Sequence, residues 1–586
     1  MNTRWKQRTL ALALLLALVL ALPAHAAEDA APTRAERAQA AAEAAMQYGG
    51  AVSVQYALWQ DGEIVLSGTA GVYSKSENRL LTGDHLYGIG SISKTYTATL
   101  VMELVEAGKV DLDEPVTTYL PNFKMADERY KDITVRMLLD HSSGLMGTTN
   151  TNAFLLGDPK EDDARKSLLD RLADQTLQAD PGAYSVYCND GFTLAELLIE
   201  AVSGKSYTDF LHETITAPLG LDHTVTPMDE VDWNEAAKIY QGTDPRALPA
   251  EALAVIGAGG LYANAADLAS FGGIFCNDSI LEETSRQAMA ADAYLRGMWP
   301  EDSEGDALAY GLGWDSVHMF PFSQNGIQAL VKGGDTIYYH AGLVVLPEHD
   351  MAAAVLTSGG VSTYNELAAA RMLIDALAEE GITVNETAAL PETTPAEAIP
   401  TEVLALTGDY GSSTGFLKVL MEGNTMTLQM PEMYGGGAQL FTYCQDGSFR
   451  DETGTILIRL VTEDNGQTYL FQKAYTPVPG LTTICAANYG FERLPEQTVS
   501  PEAQAAWDSR GSRLYFLMNE KYTSSFYPMG GIVATMADPS VYPAGYIATN
   551  VITGPDLAEN FVQIPGTGSR DGGTVRAYTE NGADWL

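Results

Sequence analysis

Hydrophobic and polar positions fall into two regimes along this chain. Up to about residue 380, helical and strand-like stretches are mixed. Thr33 to Gln47 is Ala-rich without a breaker and predicts a helix. Ala51–Trp59 and Glu63–Thr69 predict two strands, joined at Asp61-Gly62 by a hairpin turn. Ser91 to Ala107 is helical in pattern and closes at Gly108. Shorter helices are predicted over Leu194–Val202 and Ala263–Phe275, strands over Gln328–Val331 and Leu343–Thr357, and a long helix from Tyr364 to Glu380. Helix, hairpin, a large mostly helical insert, more strands and a closing helix imply a mixed α+β domain. Its antiparallel sheet would join the hairpin to the late strands, with the first and last helices on one face.

Past that domain the pattern changes. Residues 385–402, rich in Pro, Thr, Glu and Ala, read as a linker. Thr425, Thr427 and Gln429 then alternate with Met426, Leu428 and Met430, the period of a half-buried strand. Asp446-Gly447 and Asn465-Gly466 are further hairpin turns, the second joining Thr455–Val461 to Thr468–Ala474. Residues 403–586 are therefore expected to form a small β-rich, barrel-like accessory domain. A chain of 586 residues exceeds one hydrophobic core, which agrees with a first domain at 27–384 and a second after the linker.

The N-terminus narrows the setting. Arg4, Lys6 and Arg8 precede an apolar run from Leu10 to Leu22, and Ala24-His25-Ala26 has the small-x-small form of a signal-peptidase site. Residues 1–26 thus read as a signal peptide, and the mature protein is expected outside the cytoplasm, without a membrane span. A net charge of -42, from 34 basic and 76 acidic residues, argues against nucleic acid and anionic membrane surfaces as partners. Of the four cysteines, Cys444 and Cys485 fall in one region and could pair, whereas Cys188 and Cys276 read as free thiols.

Three short elements could carry chemistry. Ser91-Ile92-Ser93-Lys94 opens a helix and puts Ser91 and Lys94 one turn apart on one face. The helix N-terminus favours an alkoxide at Ser91 and disfavours a protonated Lys94. Tyr187-Cys188-Asn189 lies between Pro181-Gly182 and Asp190-Gly191, on a predicted loop. A phenol can move a proton to or from a serine oxygen, and a carboxamide can both donate to and accept from a substrate amide. Lys332-Gly333-Gly334-Asp335 precedes a strand-like stretch, where glycines admit a substrate close to the backbone and N–H groups can face an oxyanion. Each element alone is common. No His-Glu-x-x-His, Gly-x-Ser-x-Gly or phosphate-loop pattern competes with them.

Taken in order, Ser-x-x-Lys, Tyr-x-Asn and Lys-x-Gly resemble the serine β-lactamase and penicillin-binding-protein superfamily, near class C β-lactamases and D-alanyl-D-alanine carboxypeptidases. The stretches "GKVDLDEPVTTYLPNF", "ITVRMLLDHSSGL", "GAGGLYANAADLASFG" and "LVVLPEHDMAAAVLTSGG" extend the resemblance over about residues 37 to 380. It implies a β-lactamase/transpeptidase-like fold and a hydrolase that forms an acyl-enzyme on Ser91. Lys94 and Tyr187 would share the proton transfers, without a unique assignment of the base. Asn189 would hold the substrate amide, Lys332 and Gly334 would line the far side, and the backbone N–H groups of Ser91 and Asp335 would form the oxyanion hole. No metal or cofactor is implied. The substrate would be a small molecule or peptide, cell-wall-derived ones included, and a slow penicillin-binding sensor is the alternative.

Two departures bear on substrate. Gly333 stands where many β-lactamases carry a hydroxyl that helps bind a carboxylate, and Asp335 adds a negative charge beside it. Peptides or esters become more plausible than penicillins. His340-Ala341-Gly342 also fits a His-x-Gly form of the third element, but counting back from "VLPEHD" favours Lys332 and leaves His340 as a strand residue.

Overall fold

The structure is a computed structural model that describes residues 32–149, 151–157, 163–511, 513–529, 533–535, 540, 542–547 and 550–586. The expected signal peptide, residues 1–26, lies outside the described residues. Helix α1 (Arg34–Gly49) starts at a capping box in which Thr33 and Glu36 satisfy each other's backbone N–H groups. Strands β1 (Ser53–Gln60) and β2 (Glu63–Gly71) form the expected hairpin. Helix α2 (Ser93–Glu106) follows a single 3₁₀ turn over Gly90–Ile92, and α3 spans Asn189–Ser203. The segment predicted helical over Ala263–Phe275 is α4 (Ala265–Gly272) extended by a 3₁₀ turn. Strands β3 (Leu330–Asp335), β4 (Tyr339–Leu346) and β5 (Met351–Ser358) precede helix α5 (Ser362–Glu379).

These strands form one antiparallel sheet in the order β2-β1-β5-β4-β3. The run predicted as strand over Leu343–Thr357 is two strands, because Pro347 to Asp350 makes a turn in which Asp350 takes a φ of 49°. Side chains alternate between two buried faces. Val54, Tyr56, Leu58 and Val355 meet α1 and α5, while Ala57, Trp59, Ala354 and Leu356 meet α4 and the helical region. The first and last helices do share one face.

Eight further strands close a barrel: β6 (Gly408–Ser412), β7 (Gly415–Glu422), β8 (Thr425–Gln429), β9 (Ala438–Tyr443), β10 (Phe449–Arg450), β11 (Ile456–Thr462), β12 (Thr468–Pro477) and β13 (Thr483–Arg493). Each pairs with the next, and β13 returns to β6. Met426, Leu428, Phe441 and Ile458 fill the interior. The outer face of β11 to β13 packs Phe471, Cys485 and Tyr489 with Phe320 of the first body and with Val562 and Ile564 from the chain beyond the barrel. That last stretch is not part of the barrel. It carries helix α6 (Pro501–Asp508) and short strand pairs, then returns to the first body.

Residues 385–400 are pinned at both ends rather than free. Glu386 pairs with Arg371, and the Ala396 and Ile399 N–H groups donate to Tyr443 and Gly423 of the barrel. Cys444 and Cys485 are both free thiols: one sits at a hairpin turn, the other on the outer wall of β13. The expected possibility of a disulfide between them is not realised. No helix among the described residues is long and apolar enough to cross a membrane.

The seating of α5 on the sheet depends on a missing side chain. A Cβ on Gly342 would stand 2.6 Å from the Asn365 carbonyl carbon and closer still to the Glu366 nitrogen. Helix backbone cannot yield as a side chain can, so Gly342→Ala should cost about 1–3 kcal/mol of stability. A denaturant melt checks this, and an unchanged midpoint would contradict the packing.

Candidate active site

Ser91, Lys94, Tyr187, Asn189 and the end of β3 converge on one cleft between the sheet and the helical region. The tight turn before α2 gives Gly90 a φ of 49° and brings it against β3, where a Cβ would meet the Asp335 nitrogen at 2.6 Å. A Cβ on Gly334 would run into the Ile89 carbonyl oxygen. Glycine at both positions lets the nucleophile turn and the strand end touch. The backbone nitrogens of Ser91 and Asp335 are thereby held near each other.

Lys94 is wholly buried one helical turn beyond Ser91, which is itself half-buried. Its Nζ lies 3.0 Å from Ser91 Oγ and donates to the Ala258 carbonyl at 2.6 Å. That carbonyl is held in place by Glu196 of α3, which accepts the Gly257 N–H at 2.7 Å and pairs with Arg165. No carboxylate is hydrogen-bonded to Lys94 among the described residues. Burial, with Lys332 and Arg570 as positive neighbours, drives its pKa well below that of a free lysine.

Lys332 is in the opposite condition. Its Nζ donates to Asp315 at 2.7 Å, to Tyr187 Oη at 3.2 Å and to the Gly333 carbonyl at 3.1 Å. Burial alone would lower its pKa, but Asp315 and Tyr187 outweigh it and the ammonium is held charged. Tyr187 therefore sits among cations, with Lys94 Nζ 5.0 Å and Lys332 Nζ 5.1 Å from its ring centroid. Burial raises the phenol pKa despite Lys332, Arg570 and a hydrogen bond with Ser91, so the phenol keeps its proton.

Tyr187-Cys188-Asn189 was predicted on a loop, but Asn189 is the first residue of α3. The helix starts early because Cys188 is its N-cap, its Sγ accepting the Gly191 N–H, and because Asp190 takes both donors of Thr149. Asn189 Nδ2 donates to Thr148 Oγ1 at 3.0 Å, whereas its Oδ1 is buried with no partner. An orphaned acceptor of this kind is costly unless a donor such as a substrate N–H reaches it.

Asp335 does not oppose a substrate anion. Its carboxylate accepts from Ser362 N and Oγ at 2.9 and 2.7 Å and pairs with His340 Nδ1 at 2.6 Å, on the sheet face away from Lys332. The carboxylate that touches Gly333 is Asp315, whose Oδ2 accepts the Gly333 N–H at 3.0 Å, while a Cβ at 333 would run into the Glu366 carboxyl. Burial, with Asp315 and Asp335 nearby, pushes the Glu366 pKa to about 8. His340 lies on β4 opposite Asp335.

Two groups had no role in the sequence pattern. His141 stacks on the Tyr187 ring with centroids 4.4 Å apart, and its Nδ1 accepts the Cys188 N–H at 3.0 Å. Burial and the neighbouring cations hold it neutral. Arg570, from the far end of the chain, places its guanidinium carbon 4.6 Å from the Tyr187 ring centroid. Nothing in local sequence connects residue 570 to this cleft.

A serine hydroxyl 3.0 Å from a buried lysine amine whose pKa is driven down, beside a phenol and the end of a strand, is the arrangement of a serine hydrolase. The Beta-lactamase family model matches residues 38–377, and the chain belongs to that family. Among relatives, it is 31% identical over 362 residues to penicillin-binding protein 4 of Amycolatopsis lactamdurans, covering 59% of this chain and 90% of that one. It is 27% identical over 289 residues to the D-alanyl-D-alanine-carboxypeptidase/endopeptidase AmpH of Escherichia coli, covering 47% and 71%. The octameric penicillin-binding protein homologue from Pyrococcus abyssi superposes with a TM-score of 0.51 at 21% identity, over 78% of this chain and 99% of that one, a likeness of fold.

His141 should matter to the site's rigidity. His141→Ala leaves the buried Cys188 N–H unpaired, at a cost of about 1–3 kcal/mol. Urea unfolding reads this loss, and wild-type stability in the variant would show that the contact is idle.

Proposed function

We propose that the protein is an exported serine hydrolase that forms an acyl-enzyme on Ser91 and hydrolyses an amide or ester, with D-amino-acid peptides, β-lactams and simple esters as the substrate classes. The observation that carries this reading is the 3.0 Å approach of Lys94 Nζ to Ser91 Oγ in a buried setting that lowers the pKa of the amine. Lys94 takes the hydroxyl proton as Oγ bonds to the carbonyl carbon. The resulting oxyanion lies between the backbone N–H groups of Ser91 and Asp335, each worth roughly 3 kcal/mol of barrier. Tyr187, kept protonated, passes a proton to the leaving group as the bond to it breaks. Asn189 Oδ1 accepts the substrate N–H. Water then takes the acyl group from Ser91, and the same groups run the proton transfers in reverse. Export rests on the basic, apolar and small-x-small order of residues 4–26.

A fluorescent penicillin or a fluorophosphonate should label the mature protein covalently, and Ser91→Ala should remove the label. Equal labelling of the variant would refute the assignment of the nucleophile. Turnover of a chromogenic cephalosporin, D-Ala-D-Ala peptides and p-nitrophenyl esters then separates the substrate classes, and a stable label without turnover would mean a binding protein.

The labelling rate carries a pH signature. Lys94 acts only as the neutral amine, so the rate rises as pH passes upward through its lowered pKa and falls below it. Lys332→Gln removes a positive neighbour but leaves Asp315, which favours the ammonium. The acid limb of the profile should therefore move to higher pH. A limb that stays or moves lower would contradict the electrostatic account.

A further inference from the structure

The chain beyond the barrel returns to the cleft as a strap over residues 562–572, bonded to both bodies. On the barrel side, the Gln563 N–H donates to Glu492 at 2.6 Å, Tyr469 Oη donates to the Gln563 carbonyl at 3.0 Å, and the Ser413 N–H donates to Gly568 at 2.7 Å. On the catalytic side, the Gly566 N–H donates to Ser185 at 2.8 Å, and the Gly566 carbonyl accepts from the Tyr187 N–H at 2.9 Å and Tyr310 Oη at 3.0 Å. Ile564 and Ser569 are buried, anchoring the strap on either side of this contact. Two residues past Gly568, Arg570 emerges over the Tyr187 ring with its side chain 35% exposed.

Of the three cations around Tyr187, two are committed. Lys94 contacts Ser91 and Ala258, and Lys332 is neutralised by Asp315. Among the described residues Arg570 touches a carboxylate only along its Nε edge, where Asp571 Oδ2 stands at 3.2 Å, and Nε itself is buried without a hydrogen-bond partner. Among the described residues no hydrogen bond engages its two terminal nitrogens. These form the planar edge that binds a carboxylate in two parallel bonds. At the strand edge Gly333 brings no hydroxyl, and a side chain there would point to Glu366 and Ser362 of α5 rather than into the cleft.

We propose that Arg570 is a specificity-determining residue, delivered by the strap, that receives a carboxylate of the substrate on the leaving-group side of Ser91. The side follows from Tyr187, the proton donor to the leaving group, whose ring carries the guanidinium. This deepens the hydrolase reading and rests on it. The preferred substrate is then a peptide with a free C-terminal carboxylate, and its amide-capped form is the poor one.

The test compares an N-acylated D-Ala-D-Ala peptide as free acid and as C-terminal amide, on the full mature chain, with Arg570→Gln and Arg570→Lys. Wild type should prefer the acid by roughly 10- to 100-fold in kcat/KM, the worth of a charge-assisted hydrogen bond. Arg570→Gln should erase that preference by slowing the acid by a larger factor than the amide, and Arg570→Lys should restore part of it. An unchanged acid-to-amide ratio in Arg570→Gln, or an equal loss on both peptides, would overturn the proposal; the equal loss would mean that Arg570 only tunes Lys94 and Tyr187. Calorimetric binding of the two peptides to Ser91→Ala and to Ser91→Ala/Arg570→Gln gives a second readout that needs no turnover. If wild type neither labels nor hydrolyses, the hydrolase reading fails. A preference of Ser91→Ala for the acid that vanishes in the double variant would still support Arg570 as the carboxylate receptor, and equal binding of acid and amide by Ser91→Ala would refute it.

Discussion

A lysine amine buried without a carboxylate of its own is the constraint on which this site is built. An ammonium taken out of water and left unpaired costs several kcal/mol, and the cheaper state is the neutral amine. Among the described residues Lys94 hydrogen-bonds only with a serine hydroxyl and a backbone carbonyl, with a second lysine nearby to repel a proton. The same burial lowers the pKa of Lys94 and so favours the neutral amine that can act as a base. Asp315 could have cancelled the effect but is spent on Lys332 and the Gly333 N–H.

Keeping that arrangement dry and in register takes much of the molecule. Glu196 and Arg165 hold the Ala258 loop under the amine, while His141 and Asp190 hold Tyr187 and Asn189 at the start of a helix. The sheet contributes the end of β3, and glycines at 90 and 334 let it touch the nucleophile turn. The barrel takes part indirectly. Through Glu492, Tyr469 and Ser413 it braces a strap whose Gly566 completes the backbone bonding of Tyr187. A domain with no catalytic pattern of its own thus becomes part of the wall of the cleft.

The parts legible in the sequence were those set by short-range periodicity. Ser91 and Lys94 one turn apart, the β1–β2 hairpin at Asp61-Gly62, and the alternation around Met426 each state a local geometry. The late strands were readable only as a block, because the Pro347–Asp350 turn depends on a left-handed Asp350 that composition does not announce. The early start of α3 was missed because its N-cap is a cysteine, a residue seldom read as one. The orientation of Asp335 followed from pairing with His340 and Ser362 across β4 and α5, which no linear pattern encodes. Arg570 was invisible for the same reason on a larger scale, since its position depends on the barrel folding and the chain returning.

The most direct test of the convergence is a crystal structure of the protein after reaction with a small boronic acid. The account predicts a tetrahedral boronate on Ser91 Oγ, with one oxygen about 2.7–3.1 Å from the backbone nitrogens of both Ser91 and Asp335. A boronate on another residue, or one on Ser91 whose oxygens all turn away from the end of β3, would contradict it.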